Sequence, residues 1–229
     1  SEYLDKIRAV IGDRSIDYLI INHMEPDHSG SLALIRKYYP GIKLVGNKKT
    51  LDMVKGFYGV CEPTDMLVAD GDSLDLGYHK LRFYLTPMLH WPETMVTYDE
   101  KEKILFSGDA FGCFGALNGT IIDTQMDTAD YWPEMERYYA AILGKFGSSV
   151  QAGLKKLGGL DLRMICSTHG PIWVNEIGRA IDTYNRFSSG ITEKGLVICY
   201  GSMYGNTQRV AEAVAEGAAE AGMRKIIVH

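Results

Sequence analysis

No apolar run in this 229-residue chain approaches the roughly 20 residues that a helix needs to cross a bilayer, so no membrane span is expected. The chain also has no basic stripe. Its 24 Lys and Arg are scattered among 29 Asp and Glu, for a net charge of -5, which argues against a nucleic-acid partner. Cysteine is scarce and unpaired in sequence. Cys61, Cys113, Cys166 and Cys199 form no Cys-x-x-Cys, which excludes an iron–sulfur or zinc-ribbon set. They read as reduced, mostly buried thiols of a cytoplasmic protein. The start, Ser1-Glu2-Tyr3-Leu4-Asp5, lacks a basic segment followed by an apolar one, so no signal peptide is expected. It also lacks an initiator Met, and the expectation is a processed, cleaved or partial chain. No internal repeat or low-complexity tract is visible. What remains is an ordinary globular composition, 46% hydrophobic, longer than one typical domain and shorter than two.

Histidine is scarce as well, and its placement is informative. The chain has only His23, His28, His79, His90, His169 and His229. Two of these fall in His23-Met24-Glu25-Pro26-Asp27-His28, directly behind the apolar run Tyr18-Leu19-Ile20-Ile21. Imidazole and carboxylate together suit iron or zinc. One short turn cannot complete two coordination shells, so further ligands must come from elsewhere. His90 follows Leu81-Arg82-Phe83-Tyr84-Leu85, Asp109 follows Ile104-Leu105-Phe106, and His169 follows Met164-Ile165-Cys166. Each candidate ends a strand-like run, so all can converge on one sheet edge. Carboxylates gathered there would repel one another without cations.

The rest of the pattern is α/β. Helical spacing is expected over Ser1 to Ile11, from a Ser29-Gly30-Ser31 cap through Tyr39, and over Lys48 to Phe57, Tyr131 to Leu143, Val150 to Leu157 and Asn175 to Phe187. Short strands are expected at Tyr18–Ile21, Lys43–Val45, Met66–Val68, Leu74–Leu76, Leu81–Leu85, Met95–Tyr98, Ile104–Phe106 and Met164–Cys166. The stretch from Ala110 to Ala129 is poor in periodicity. It starts directly after Asp109 and is expected to lid the metal site. Ser188-Ser189-Gly190 reads as a flexible linker. Beyond it, Leu196 to Tyr200 is a buried strand, Gln208 to Ala221 an amphipathic helix, and Ile226 to Val228 another strand. Between the first two lies Gly201-Ser202-Met203-Tyr204-Gly205-Asn206-Thr207. Hydroxyls of Ser202, Tyr204 and Thr207, with backbone N–H groups at a helix start, suit a phosphate. The loop lacks Gly-Lys-Ser/Thr and Gly-x-Gly-x-x-Gly, so it is neither a nucleoside-triphosphate loop nor a dinucleotide fingerprint.

The first part resembles the metallo-β-lactamase superfamily, whose hydrolases carry His-x-His-x-Asp-His in this turn. Here Glu25 stands in place of the second His. An anionic oxygen in place of a nitrogen makes the site harder and favours iron over zinc hydroxide. His-x-Glu-x-Asp-His, then His90, Asp109 and His169, is similar to the pattern of the flavodiiron proteins (A-type flavoproteins). These join a diiron β-lactamase-like domain to a flavodoxin-like one, and Ser202 to Thr207 is similar to the flavodoxin phosphate loop. The resemblance implies an αββα sandwich over residues 1–187, with its N-terminal strands missing, a linker over 188–194, and the first βα unit of a flavodoxin-like domain over 195–229. It implies that His23, Glu25 and His90 hold one iron, that Asp27, His28 and His169 hold the other, and that Asp109 bridges them. Trp91, Phe111 and Phe114 would pack over the site. Ser202, Met203, Tyr204, Gly205, Asn206 and Thr207 would hold the phosphate of FMN. With the flavodoxin-like part stopping at His229, the chain alone is expected not to hold FMN tightly.

The implied activity is reduction of dioxygen to water, of nitric oxide to nitrous oxide, or of both. Electrons would come from an external donor, such as a rubredoxin-like protein, reduced flavin or deazaflavin, or an NADH-linked reductase. The implied assembly is a head-to-tail homodimer or a dimer of dimers. Two other readings stand beside this one: a dinuclear zinc hydrolase, against which Glu25 argues, and a non-catalytic metal-binding fragment.

Overall fold

The computed structural model describes residues 2–117 and 119–229. Ser1, the expected start of the first helix, and Asn118, within the expected lid, lie outside them. The chain divides into two compact units, Ser1–Ser189 and Gly190–His229.

The first unit stacks helices, two sheets and helices. Helix α1 (Glu2–Ile11) leads into strand β1 (Tyr18–Ile20), the short α2 (Pro26–Ser29), α3 (Leu32–Tyr38), β2 (Lys43–Gly46), α4 (Lys48–Tyr58) and β3 (Met66–Leu67). Strands β1, β2 and β3 form a parallel sheet, with Tyr18 opposite Lys43 and Val45 opposite Met66. The larger sheet runs in order through β4 (Ser73–Asp75), β5 (Lys80–Leu85), β6 (Met95–Asp99), β7 (Ile104–Gly108) and β8 (Met164–Ser167). It is antiparallel up to β7 and parallel between β7 and β8. Every residue of β6 is buried, as befits a central strand covered on both faces.

Each interface between layers has its own core. Val45, Val68, Leu74, Phe83 and Met95 pack between the two sheets. Ile21, Leu32, Leu44 and Val54 pack under α3 and α4. Leu105, Ile165, Trp173 and Tyr184 pack under α5 (Tyr131–Tyr138), α6 (Gly147–Leu157) and α7 (Ile177–Ser188). Each fully buried aliphatic side chain contributes about 1.5–3 kcal/mol relative to exposure.

Several expectations need correction. The turn expected to hold metal is partly helical: Pro26–Ser29 forms α2, with Pro26 in its first turn. Ser29 does not cap the next helix, because its hydroxyl donates inward to Met24 O at 2.8 Å. Ser31 makes no side-chain cap either. The helix expected over Tyr131 to Leu143 is α only to Tyr138. It continues as a π-turn over Tyr139–Leu143 and a 3-10 turn over Gly144–Phe146. The wider turn lets the adjacent Tyr138 and Tyr139 both be buried while facing different neighbours. The stretch from Ala110 to Ala129 is not a free lid throughout. A 3-10 turn at Asp123–Gln125 and a bridge between Ile122 and Ile172 tie its far half down.

In the second unit, β9 (Leu196–Ile198) runs parallel to β10 (Ile226–Val228), with α8 (Asn206–Glu220) between them in sequence. Helix α8 begins at Asn206, two residues before the start expected at Gln208.

Candidate metal centre

Four chain segments deliver the predicted side chains to one place. The backbone beyond β1 stays paired, since Ile21 N donates to Val45 O at 2.9 Å. This carries the chain to His23 and Glu25, and α2 then presents Asp27 and His28. The anchor is Met24, which is fully buried between them. His90 comes from the connection between β5 and β6, and His169 follows β8. Asp109 follows β7, where the register shifts between Phe106 and Gly108 and Gly108 takes φ 60°. Such a bulge re-aims the chain, and here Asp109 emerges from it into the site.

Asp109, 2% exposed, stands at the centre. Its Oδ2 lies 2.9 Å from His90 Nε2 and 3.4 Å from His23 Nε2. Glu25 Oε2 closes that side, 3.1 Å from His90 Nε2 and 3.4 Å from His23 Nε2. The other oxygen, Oδ1, lies 2.9 Å from His28 Nε2 and 3.3 Å from His169 Nε2. Asp27 Oδ2 closes the second side, 3.4 Å from each of those two nitrogens. All seven predicted metal residues therefore converge, in two sets of three about the two oxygens of one carboxylate.

The electrostatics follow from this crowding. Burial pushes the Asp109 carboxyl up, but the imidazoles of His169, His28 and His90 around it outweigh this and hold the carboxyl well below the usual range. Burial pulls His90 down, yet the hydrogen bond to Asp109 and the charges of Asp109, Glu25 and Glu93 leave it raised. His169 is raised chiefly by its hydrogen bond to Asp109. Among the described residues, no Lys or Arg pairs with Glu25, Asp27, Glu93 or Asp109.

Three residues near the site were not expected. Glu93, 1% exposed, accepts from His23 Nδ1 at 2.8 Å and from Met24 N at 2.9 Å. No local sequence signal marks it, two residues ahead of β6 and beside Pro92. Thr168 Oγ1 donates to Asp109 Oδ1 at 3.1 Å. The Tyr138 ring lies 5.7 Å from that of His169. Of the expected covering aromatics, Trp91 meets His23 edge-on at 5.3 Å. Phe111 does not cover the site. It is buried against Tyr184 at 4.7 Å, and its carbonyl accepts from Trp173 Nε1, so it belongs to the core. Phe114 packs on Tyr138 at 4.9 Å.

In the second unit, Ser202, Met203, Tyr204, Asn206 and Thr207 are exposed around the start of α8, and Gly205 is partly so. Gly205 takes φ 81° and has no side chain with which to cap the helix. The first-turn N–H groups are thus open to an anion.

Residues 1–170 match the family described as ODP family beta lactamase, and residues 198–228 match flavodoxin. A flavo-diiron protein of Clostridium acetobutylicum is 38% identical over 94% of this chain and 55% of its own length. An anaerobic nitric oxide reductase flavorubredoxin of Enterobacter sp. (strain 638) is 33% identical over 94% of this chain and 45% of its own. The solved rubredoxin oxygen:oxidoreductase of Desulfovibrio gigas superposes with a TM-score of 0.91 at 27% identity, covering 100% of this chain and 58% of that one. The chain spans about half the length of the curated relatives it matches.

Proposed function

The chain belongs to the flavodiiron proteins, with a first part in the ODP β-lactamase family and a flavodoxin-like second part, and on that premise we propose that it acts in the reduction of dioxygen, nitric oxide or both. Flavodiiron proteins carry two irons and FMN. One observation carries the reading: two sets of three metal-capable side chains flank the two oxygens of the buried Asp109. The donor set also fits the metal. His28 Nε2 is buried, sits 2.9 Å from Asp109 Oδ1, and has no hydrogen-bond partner, as suits a nitrogen whose lone pair is kept for a cation. Mixed imidazole and carboxylate donors suit iron.

In this reading His23, Glu25 and His90 would hold one iron and Asp27, His28 and His169 the other, with Asp109 available to both. An iron pair bound there would supply electrons to a diatomic oxidant. The protein does the rest. Glu25, Asp27 and Asp109 offset the cationic charge and weaken the Lewis acidity that a hydrolase uses to make hydroxide near neutral pH. Thr168 orients Asp109 by its hydrogen bond. Trp91 and Tyr138 limit water, and burial keeps the Tyr138 phenol protonated. In the flavodoxin-like part, Ser202, Tyr204 and Thr207 offer hydroxyls, and Met203, Gly205 and Asn206 shape the backbone nest around the FMN phosphate. Residues 1–187 form the diiron domain, 188–194 the linker and 195–229 the flavodoxin-like portion. Reducing equivalents come from an external donor, FMN is supplied across a homodimer, and the setting is cytoplasmic, in keeping with four free thiols.

The test is elemental analysis of protein made with iron and zinc both available. Stopped-flow mixing of the reduced protein with each gas follows, beside a lactam and thioester assay. Iron with gas consumption is expected. Two zinc ions with hydrolysis would overturn the reading. Glu25→His should shift content toward zinc and lower gas consumption, and unchanged iron content would remove Glu25 from the ligand set.

A further inference from the structure

We propose that Glu93 is a positioning residue that fixes the tautomer of His23. Through His23, it would make the metal position on the Oδ2 side of Asp109 the more electron-rich of the two. The tautomer claim stands on the hydrogen bonds alone, and the metal claim rests on the reading above.

Glu93 Oε1 accepts the Met24 amide proton at 2.9 Å, so this oxygen is an acceptor. The same oxygen lies 2.8 Å from His23 Nδ1. A carboxylate has no proton to give, so Nδ1 must carry one. A neutral imidazole then keeps its lone pair on Nε2. That atom faces Asp109 Oδ2 and Glu25 Oε2, each at 3.4 Å. The arrangement leaves little freedom, because His23 is 4% and Glu93 1% exposed.

Glu93 is itself held. Asn47 Nδ2 donates to its backbone carbonyl at 2.5 Å, while Asn47 Oδ1 accepts from Thr50 N and caps α4. The cap of α4, the connection before β6 and the metal turn are thus one hydrogen-bonded assembly. The second carboxylate oxygen, Oε2, is buried without a partner. A structural hydrogen bond to one ring nitrogen does not require a charged group here, since a neutral acceptor would satisfy the same N–H. A full carboxylate left half unsatisfied points instead to a use for its charge.

That charge acts on one side only. Among the described residues, no carboxylate is hydrogen-bonded to Nδ1 of His28, His90 or His169. A carboxylate on the outer N–H of a ligating imidazole raises its basicity, and loss of such a partner typically weakens metal binding by about 10–100-fold. A more basic donor also favours the higher oxidation state. The two metal positions should therefore differ, with the one on His23 bound more tightly and harder to reduce.

The experiment uses the chain itself with Glu93→Gln, which keeps the volume and an acceptor oxygen, and with Glu93→Leu. The metal-free wild type is first read by 15N resonances of His23, where the Nδ1–H tautomer is expected. Ferrous and cobalt(II) titrations against a chelator follow, then a redox titration read by EPR. In E93Q, one of the two metal positions should weaken by about 10-fold or more while the other holds. The potential of that position should rise, each tenfold change in relative affinity of the two oxidation states being about 59 mV. A purely structural Glu93 would leave potentials unmoved in E93Q. Wild-type affinities and potentials in E93Q, or the Nε2–H tautomer in the wild type, would overturn the proposal. If E93L fails to fold, E93Q and the wild-type tautomer still decide it. A wild type that takes up no metal pair would defeat the diiron reading, whereas the metal-free tautomer would still test the hold of Glu93 on His23.

Discussion

Gly170 offers a sharp test of how the site is built, because a single methyl group there has nowhere to go. The residue follows His169 directly and takes φ 80°, where an alanine costs about 1–2 kcal/mol. An added Cβ would collide with Cys113 Sγ and lie 3.3 Å from the Cys113 backbone N and O. Cys113 is 1% exposed, within the core under α5 to α7, so its sulfur cannot swing into solvent. Overpacking of this kind costs about 1–3 kcal/mol. Together, Gly170→Ala should destabilise the first unit by about 2–5 kcal/mol. At roughly 2–4 °C per kcal/mol, its melting midpoint should fall by about 4–20 °C.

The assay is urea unfolding followed by tryptophan fluorescence, since Trp91, Trp132 and Trp173 all lie in the first unit. A double-mutant cycle separates the two terms. Cys113→Ala removes the clashing sulfur but not the strained φ. The pair Gly170→Ala with Cys113→Ala should therefore recover about 1–3 kcal/mol relative to additivity. Cys113 N also donates to His169 O at 3.3 Å, so relief of the clash by backbone movement would displace His169. Metal at the Oδ1 side of Asp109 should weaken in Gly170→Ala and not in Cys113→Ala. A wild-type midpoint for Gly170→Ala, or strict additivity in the cycle, would refute the close approach.

The candidate ligand positions were legible because each imposes a local signature. His23, Glu25, Asp27 and His28 crowd one turn, and His90, Asp109 and His169 each follow an apolar run of strand length. The supporting groups were not legible, because they act across long sequence separations. Glu93 sits beside Pro92, where an acid reads as solvent-facing, yet its partner His23 is 70 residues away in sequence. Asp123 lies in a stretch without periodicity, yet its Oδ2 accepts from Val174 N, Asn175 N and Glu176 N and so anchors the approach to α7. The four residues of α2 are too few to show a helical period. Tyr138 lay within a regular helical pattern, which does not say that its ring meets His169 while that of Tyr139 meets Tyr184. Phe111 was misread as a lid residue because proximity in sequence to Asp109 says nothing about direction. Its φ of 66° turns the ring toward Tyr184.

Two further outcomes are expected. Burial pushes the Cys113 thiol up to about 12, so it should resist alkylation at pH 8–9 while the exposed Cys199 reacts. Because the folded value is raised, Cys113 supports folding fully below the ordinary thiol value of about 8.5, and that support is lost as pH climbs through 12. Cys113→Ala should flatten the alkaline fall in stability, and an unchanged alkaline profile would contradict the assignment. The other outcome concerns metal and folding. Glu25, Asp27, Glu93 and Asp109 are brought together in the folded chain without a Lys or Arg partner among the described residues, whereas in the unfolded chain they are dispersed in water. A cation that binds this cluster binds the folded state selectively, so ferrous ion should raise the unfolding midpoint. At a free concentration 100 times the dissociation constant, each site adds about 2.7 kcal/mol. Two sites then add about 5 kcal/mol, or roughly 10–20 °C for a unit of this size. Asp109 faces both sets of ligands, so Asp109→Asn should remove most of the increment from both sites at once, whereas Glu25→Gln should remove only one share. Calorimetry with and without metal, beside elemental analysis, reads this directly. Bound iron that leaves the midpoint unmoved would mean that the metal is not held by these folded-state ligands.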